Sequence, residues 1–252
     1  MIRLRLLPCW GFVLLFVWLS GYWKIMGAIF LMMSIHECAH MIVAYICHYS
    51  CDHMEIYPFG FCAQISDIGY GSVYRELLII TAGPCMHLFY PFIFRFFMMH
   101  GWISAAFYGY LLMMNQSILF FNLLPIFPLD GGRILSEFLH LFLPYAKAQR
   151  CASLLSLGAI MLVIVCGWMA DLIGWLTLMI LTACIQKRMQ HLLQDRFRFY
   201  RYRYEHPFQG RKIVHHHQDL FRMRMNYIIE GNQMIDEHMW LKRLHQEQEK
   251  TR

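Results

Sequence analysis

Six apolar stretches occupy the first three quarters of the chain, at about residues 6–20, 25–47, 76–99, 102–124, 151–168 and 171–186. A hydrocarbon core of ~30 Å is crossed by about 20 apolar residues in helix. Backbone polar groups in lipid are satisfied only within helices or closed barrels. The pattern therefore predicts an all-α polytopic membrane protein with about six transmembrane helices. Charge divides the chain in the same way. Eight Lys/Arg balance eight Asp/Glu over residues 1–186, whereas 187–252 carry fourteen against eight. Only 15% of all residues are charged, against ~25% in soluble domains, so an ordinary soluble domain is excluded. Residues 1–186 are expected to form the membrane domain and 187–252 a basic cytoplasmic tail.

Basic residues orient the spans. With both termini cytoplasmic, Arg3, Arg5, Arg75, Arg133, Lys147, Arg150, Lys187 and Arg188 fall inside and only Lys24 outside. The N-terminus imitates a secretory signal, but it lacks a small-x-small cleavage site and reads as a retained first membrane helix. Nine cysteines lie scattered without a C-x-x-C pair, which suggests buried free thiols rather than a disulfide framework. A basic tail beside a membrane suits an anionic lipid surface. Nucleic acid is not expected as a partner, because no nucleic-acid module is visible. Between the second and third spans, Met54–Ile65 contains Pro58 and Gly60 and is too short to cross. It suits a short interfacial β-like hairpin.

The segment Ser34-Ile35-His36-Glu37-Cys38-Ala39-His40 contains His-Glu-x-x-His. Residues four apart share a helix face, so His36 and His40 can aim two imidazoles at one zinc ion. Glu37 stands beside that point as a candidate general base. Ionisable groups inside an apolar span are costly, and they are usually functional there. The bland account is a polar pair bonding to neighbouring helices. A catalytic zinc site normally takes three protein ligands. The third candidate is Asp130, in Asn122-Leu123-Leu124-Pro125-Ile126-Phe127-Pro128-Leu129-Asp130-Gly131-Gly132-Arg133. Its two glycines and two prolines break helix, and broken backbone at membrane depth belongs at a protein or water cavity. The ordinary alternative for Asp130 is a helix N-cap. In the expected topology His40 lies roughly 12 Å from the cytoplasmic end of its span and Asp130 near the cytoplasmic end of the fourth. The two can therefore share a metal.

Together these motifs resemble the site-2 protease family of intramembrane metalloproteases, and within it the sporulation members. Asn115–Arg133, Tyr57-Pro58-Phe59-Gly60 and Ala82-Gly83-Pro84-Cys85-Met86-His87 carry the likeness, which covers about residues 25–190. The resemblance implies a zinc metalloendopeptidase with one Zn2+ on His36, His40 and Asp130, and Glu37 as catalytic base. Asn122 would lie near the substrate or its oxyanion, and Pro128 would help shape the substrate site. The resemblance also implies a pro-sigma-K-like protein substrate and a location in the mother-cell membrane around the forespore. Membrane inhibitory partners would resemble stage IV sporulation protein FA and BofA, and an oligomer is compatible with such a chain. Relatives of this type often carry a cytoplasmic CBS domain. Here the ~48 residues after Tyr204 lack runs of β-branched strand residues, so a complete CBS domain is not expected.

Several residues invite weaker readings. His87 either positions a ligand or is a satisfied core histidine, and the latter is favoured. His48 and His53 read as solvated, and His215-His216-His217 as a polar linker rather than a loose metal site. Arg196, Arg198, Arg201 and Arg203 alternate with aromatics, which suits lipid headgroups or a docking surface. Glu76, Glu137 and Asp171 lie near span ends and need no special role. The rival from another class is a membrane metal-ion transporter relaying an ion through the same His, Glu and Asp. Nearly carboxylate-free outer halves of the spans argue against a full ion path.

Overall fold

The structure, a computed structural model, describes residues 3–6, 19–57, 60–65, 67–165, 172–216 and 218–250. Most of the expected first span, Pro58, the Met169-Ala170-Asp171 junction and His217 lie outside the described residues. The chain divides into two compact units, residues 1–68 with 75–124 and residues 69–74 with 125–252.

In the first unit, β1 (Arg3–Leu6) pairs in parallel with β2 (Cys51–Tyr57), which pairs antiparallel with β3 (Gly60–Ile65). The expected hairpin is present, and it starts three residues earlier than Met54. The chain is therefore mostly helical but not all-α. Helix α1 (Trp23–Ile46) packs against β3. Helix α2 (Val73–Met86) has Pro84 inside it. A mid-helix proline removes a backbone hydrogen bond and clashes with the preceding turn. The chain responds by tightening: the amides of His87, Leu88 and Phe89 donate to the carbonyls of Pro84, Cys85 and Met86 at 3.2, 3.1 and 3.0 Å. Helix α3 (Tyr90–Met99) follows. Helix α4 (Ala105–Leu123) opens on Ser104, whose hydroxyl caps the Phe107 amide. Met32, Tyr90, Phe94 and Leu111 form the buried core of α1, α3 and α4, and the Tyr90 hydroxyl donates to the Met32 carbonyl at 2.8 Å.

Among the described residues, three stretches are long and apolar enough to cross a membrane: Trp23–Ile46, Val73–Met99 and Tyr145–Val165. They match the second, third and fifth predicted spans. The fourth is helical as α4, but Asn115, Gln116 and Asn122 dilute its apolar character.

The second unit contains α5 (Asp130–His140), α6 (Tyr145–Val165) and α7 (Leu172–Glu205). The expected boundary at residue 186 is not a break. Helix α7 runs for 34 residues, ~50 Å at 1.5 Å per residue, from the sixth predicted span well into the tail. The tail then folds as β4 (Lys212–His215), parallel to β5 (Met225–Glu230), which is antiparallel to β6 (Gln233–Asp236), followed by α8 (Glu237–Lys250). Its core joins Tyr145, Phe199, Tyr200, Leu220, Ile228, Ile235, Trp240 and Leu241. Tyr145 and Phe199 stack with ring centres 4.2 Å apart.

The Arg/aromatic alternation of α7 is thus only partly a surface device. A 3.6-residue period puts Phe199, Tyr200 and Arg203 on the inner face, while Arg198 and Arg201 point outward. Arg203 is buried and makes a two-pronged pair with Glu237 at 2.6 and 2.7 Å. Losing one partner of such a pair strands the other charge, at a cost of about 3–5 kcal/mol. Arg203→Ala is therefore expected to destabilise the tail by that amount, read from chemical unfolding followed at Trp240. A loss below about 1 kcal/mol, the range of an exposed pair, would contradict the burial. His215 is not linker: it is buried in β4 with Nε2 3.0 Å from the Asn226 Oδ1. Glu137 also has a structural role, accepting from the buried Arg222 Nη1 at 2.7 Å.

Candidate metal centre

His36 and His40 lie one turn apart on α1 and are 2% and 8% exposed. Their Nε2 atoms converge to 3.1 Å. Each ring is held from behind. His40 Nδ1 lies 2.7 Å from the Ile79 carbonyl of α2, and His36 Nδ1 lies 3.1 Å from His87 Nε2. His87 Nδ1 is in turn 2.7 Å from Asn115 Oδ1 of α4, whose Nδ2 donates to the His87 carbonyl at 3.0 Å. The Pro84-tightened turn at the end of α2 brings His87 into this chain.

Gly83 faces the two Nε2 atoms. A β-carbon there would lie 2.3 Å from His40 Nε2 and 2.6 Å from His36 Nε2. The glycine keeps open the volume into which both ligand atoms point.

Asp130 is the first residue of α5 and is buried. The N-cap position is Leu129, which makes no side-chain cap bond, so the N-cap reading of Asp130 is overturned. The preceding turn is held tightly. A β-carbon on Gly132 would come within 2.4–2.6 Å of the Ile126–Phe127 backbone, and the Phe127 amide donates to Ser156 Oγ at 3.1 Å. The Arg188 guanidinium lies over the Phe127 ring, 4.2 Å from its centre. At the far end of α5, burial and the Arg222 and Arg188 guanidiniums hold the His140 imidazole well below its ordinary pKa.

The ligand atoms of His36, His40 and Asp130 all lie within 4.8 Å of one another, and all three residues are buried. Two imidazole nitrogens and one carboxylate oxygen suit zinc. The bare pocket at Gly83 and the anchored rear nitrogens fit a bound ion as well. Glu37 follows His36 on α1 and is half-buried. Asn122 is the penultimate residue of α4, and Pro128 precedes Asp130 by two residues; both are half-buried.

Residues 97–166 match the family model for peptidase family M50. This stretch holds Asn115, Asn122, Pro128 and Asp130. Over that stretch the chain resembles peptidase family M50. It is 29% identical over 193 residues to stage IV sporulation protein FB of Bacillus subtilis (strain 168), covering 73% of this chain and 66% of that one. Its fold is similar to the site-2 protease from Methanocaldococcus jannaschii, with a TM-score of 0.53 and 23% identity over 74% of this chain and 90% of that one. The M50 match gives no support to the transporter alternative.

Sequence reasoning ranked His87 as a core histidine and gave Asn115 and Gly83 no role. The available signal was local. A Gly-Pro pair inside an apolar stretch marks backbone that something must approach closely, and His87 follows it by one turn.

Proposed function

We propose that this chain is an intramembrane zinc metalloprotease that hydrolyses a peptide bond in or beside the bilayer. The observation that carries the reading is the buried His36, His40 and Asp130 donor set, two of whose members lie on a helix apolar enough to cross a membrane. These three residues hold the zinc. A bound zinc supplies Lewis-acid polarisation of the scissile carbonyl and makes water ionise near neutral pH. Glu37 takes the proton of the attacking water and returns it to the leaving amine. Asn122 steadies the oxyanion, and Pro128 borders the substrate path. The substrate must be extended at the cleavage point. Strand β3 pairs on one side only among the described residues, and its open edge suits strand addition.

The substrate is a pro-sigma-K-like sporulation factor losing its pro-sequence, supported by the similarity to stage IV sporulation protein FB. Both termini are cytoplasmic, in the mother-cell membrane around the forespore. The β1–β2 pairing supports one part of this, since it keeps residues 3–6 on the same side as the chain leaving α1. Inhibitory membrane partners are of the stage IV sporulation protein FA and BofA type.

Co-expression with a tagged pro-sigma-K-like protein tests the reading. A shortened product that disappears with a zinc chelator and returns with added zinc is the expected result. A product insensitive to chelation would overturn the metalloprotease, and cleavage of other membrane proteins but not this one would overturn the substrate.

A further inference from the structure

With neutral imidazoles, the hydrogen bonds behind His36 run in one direction. It starts at a backbone carbonyl, which can only accept. The His87 carbonyl faces Asn115 Nδ2 at 3.0 Å, so the amide cannot be flipped without setting two oxygens against each other. Asn115 Oδ1 is thereby turned to His87 Nδ1, 2.7 Å away. That oxygen is an acceptor, so His87 Nδ1 carries the proton. A neutral imidazole protonated there has a bare Nε2, which accepts from His36 Nδ1 at 3.1 Å. His36 then holds its own proton at Nδ1, and its unprotonated Nε2, 3.1 Å from His40 Nε2, faces the Gly83 side with its lone pair available to a metal. His40 reaches the same state more simply, since its Nδ1 donates to the Ile79 carbonyl.

We infer that His87 and Asn115 are positioning residues that lock the metal-ligating tautomer and orientation of His36. The inference rests on the zinc reading above and goes beyond it. His87 and Asn115 are 1% and 3% exposed, so water does not substitute for either partner. The chain also ties three helices to one imidazole: α1 through His36, the end of α2 through His87, and α4 through Asn115. Residues that hold the rear nitrogen of a metal-bound imidazole typically change metal affinity 10–100-fold when lost.

The test is zinc affinity by chelator competition on the full chain in detergent, comparing wild type with His87→Leu, His87→Gln and Asn115→Leu. Leucine fills space without accepting a hydrogen bond, whereas the glutamine Oε1 sits about where Nε2 did and accepts. His87→Leu and Asn115→Leu are expected to weaken zinc about 10–100-fold, with His87→Gln close to wild type. Wild-type affinity in His87→Leu would overturn the inference. So would equal losses in His87→Leu and His87→Gln, since packing alone then explains them. A wild type that binds no zinc would instead overturn the zinc reading, and this inference with it.

Discussion

Glu37→Gln is expected to leave zinc bound and to reduce peptide cleavage by at least ~10²–10⁴-fold, the usual contribution of a general base. The substitution keeps the shape of the side chain and removes only its ability to take a proton. Glu37 is one residue from His36, ~100° round the helix, so its carboxylate is beside the ligand face without belonging to it. In the proposed site His36, His40 and Asp130 are the ligands, and Glu37 is not needed as one. Zinc content and cleavage of the same purified sample separate the two roles. Cleavage at the wild-type rate would remove Glu37 from the chemistry. Loss of zinc would make it a ligand instead.

Gly83→Ala is expected to abolish zinc binding and cleavage together. Helix propensity argues the other way, because alanine is worth up to ~1 kcal/mol more than glycine inside a helix. Sterics decide it. The added carbon would lie 2.3 Å from His40 Nε2 and 2.6 Å from both His36 Nε2 and His40 Cε1. Neither ring can retreat cheaply: His40 is pinned to the Ile79 carbonyl and His36 to His87. The same volume is the one an ion needs. Gly83→Ala should therefore yield a folded, helical, zinc-free protein, checked by metal analysis alongside circular dichroism. Full zinc content in that variant would show that the imidazoles do not converge there.

These two substitutions differ in how visible they were. Glu37 could be singled out because the chemistry proposed for it lies in one short segment. His-Glu-x-x-His on a helix sets both imidazoles on one face by spacing alone, and an apolar flank makes any other purpose expensive. Asp130 was legible as a member of a broken, Gly/Pro-rich segment. Its helix start after Leu129 also follows from that segment, since the prolines stop one helix and the glycines permit close backbone approach at the next.

Gly83, His87 and Asn115 were not legible, for a different reason. Each acts across helices, and residue spacing says nothing about which neighbouring helix a side chain meets. The same limit explains the tail. Its strand β5, Met225–Glu230, has alternate residues buried, but one of them is Asn226. A buried asparagine reads as a loop residue until its partners appear: here Glu237, His215 and the Phe221 backbone. Arg203 likewise reads as a headgroup contact until Glu237 arrives from 34 residues away to neutralise it.

Local spacing and apolar length thus carried the membrane-helical class, the convergence of the two histidines on one helix face, and the hairpin after α1. Those properties depend on helix periodicity and on the cost of polar groups in an apolar stretch, both of which are written along the chain. Tertiary structure alone decided the volume kept open by Gly83, the proton direction through Asn115 and His87, and the folded tail. Each depends on atoms brought within 2–4 Å from distant parts of the chain, where overlap, hydrogen-bond direction and charge pairing are set by packing rather than by sequence order.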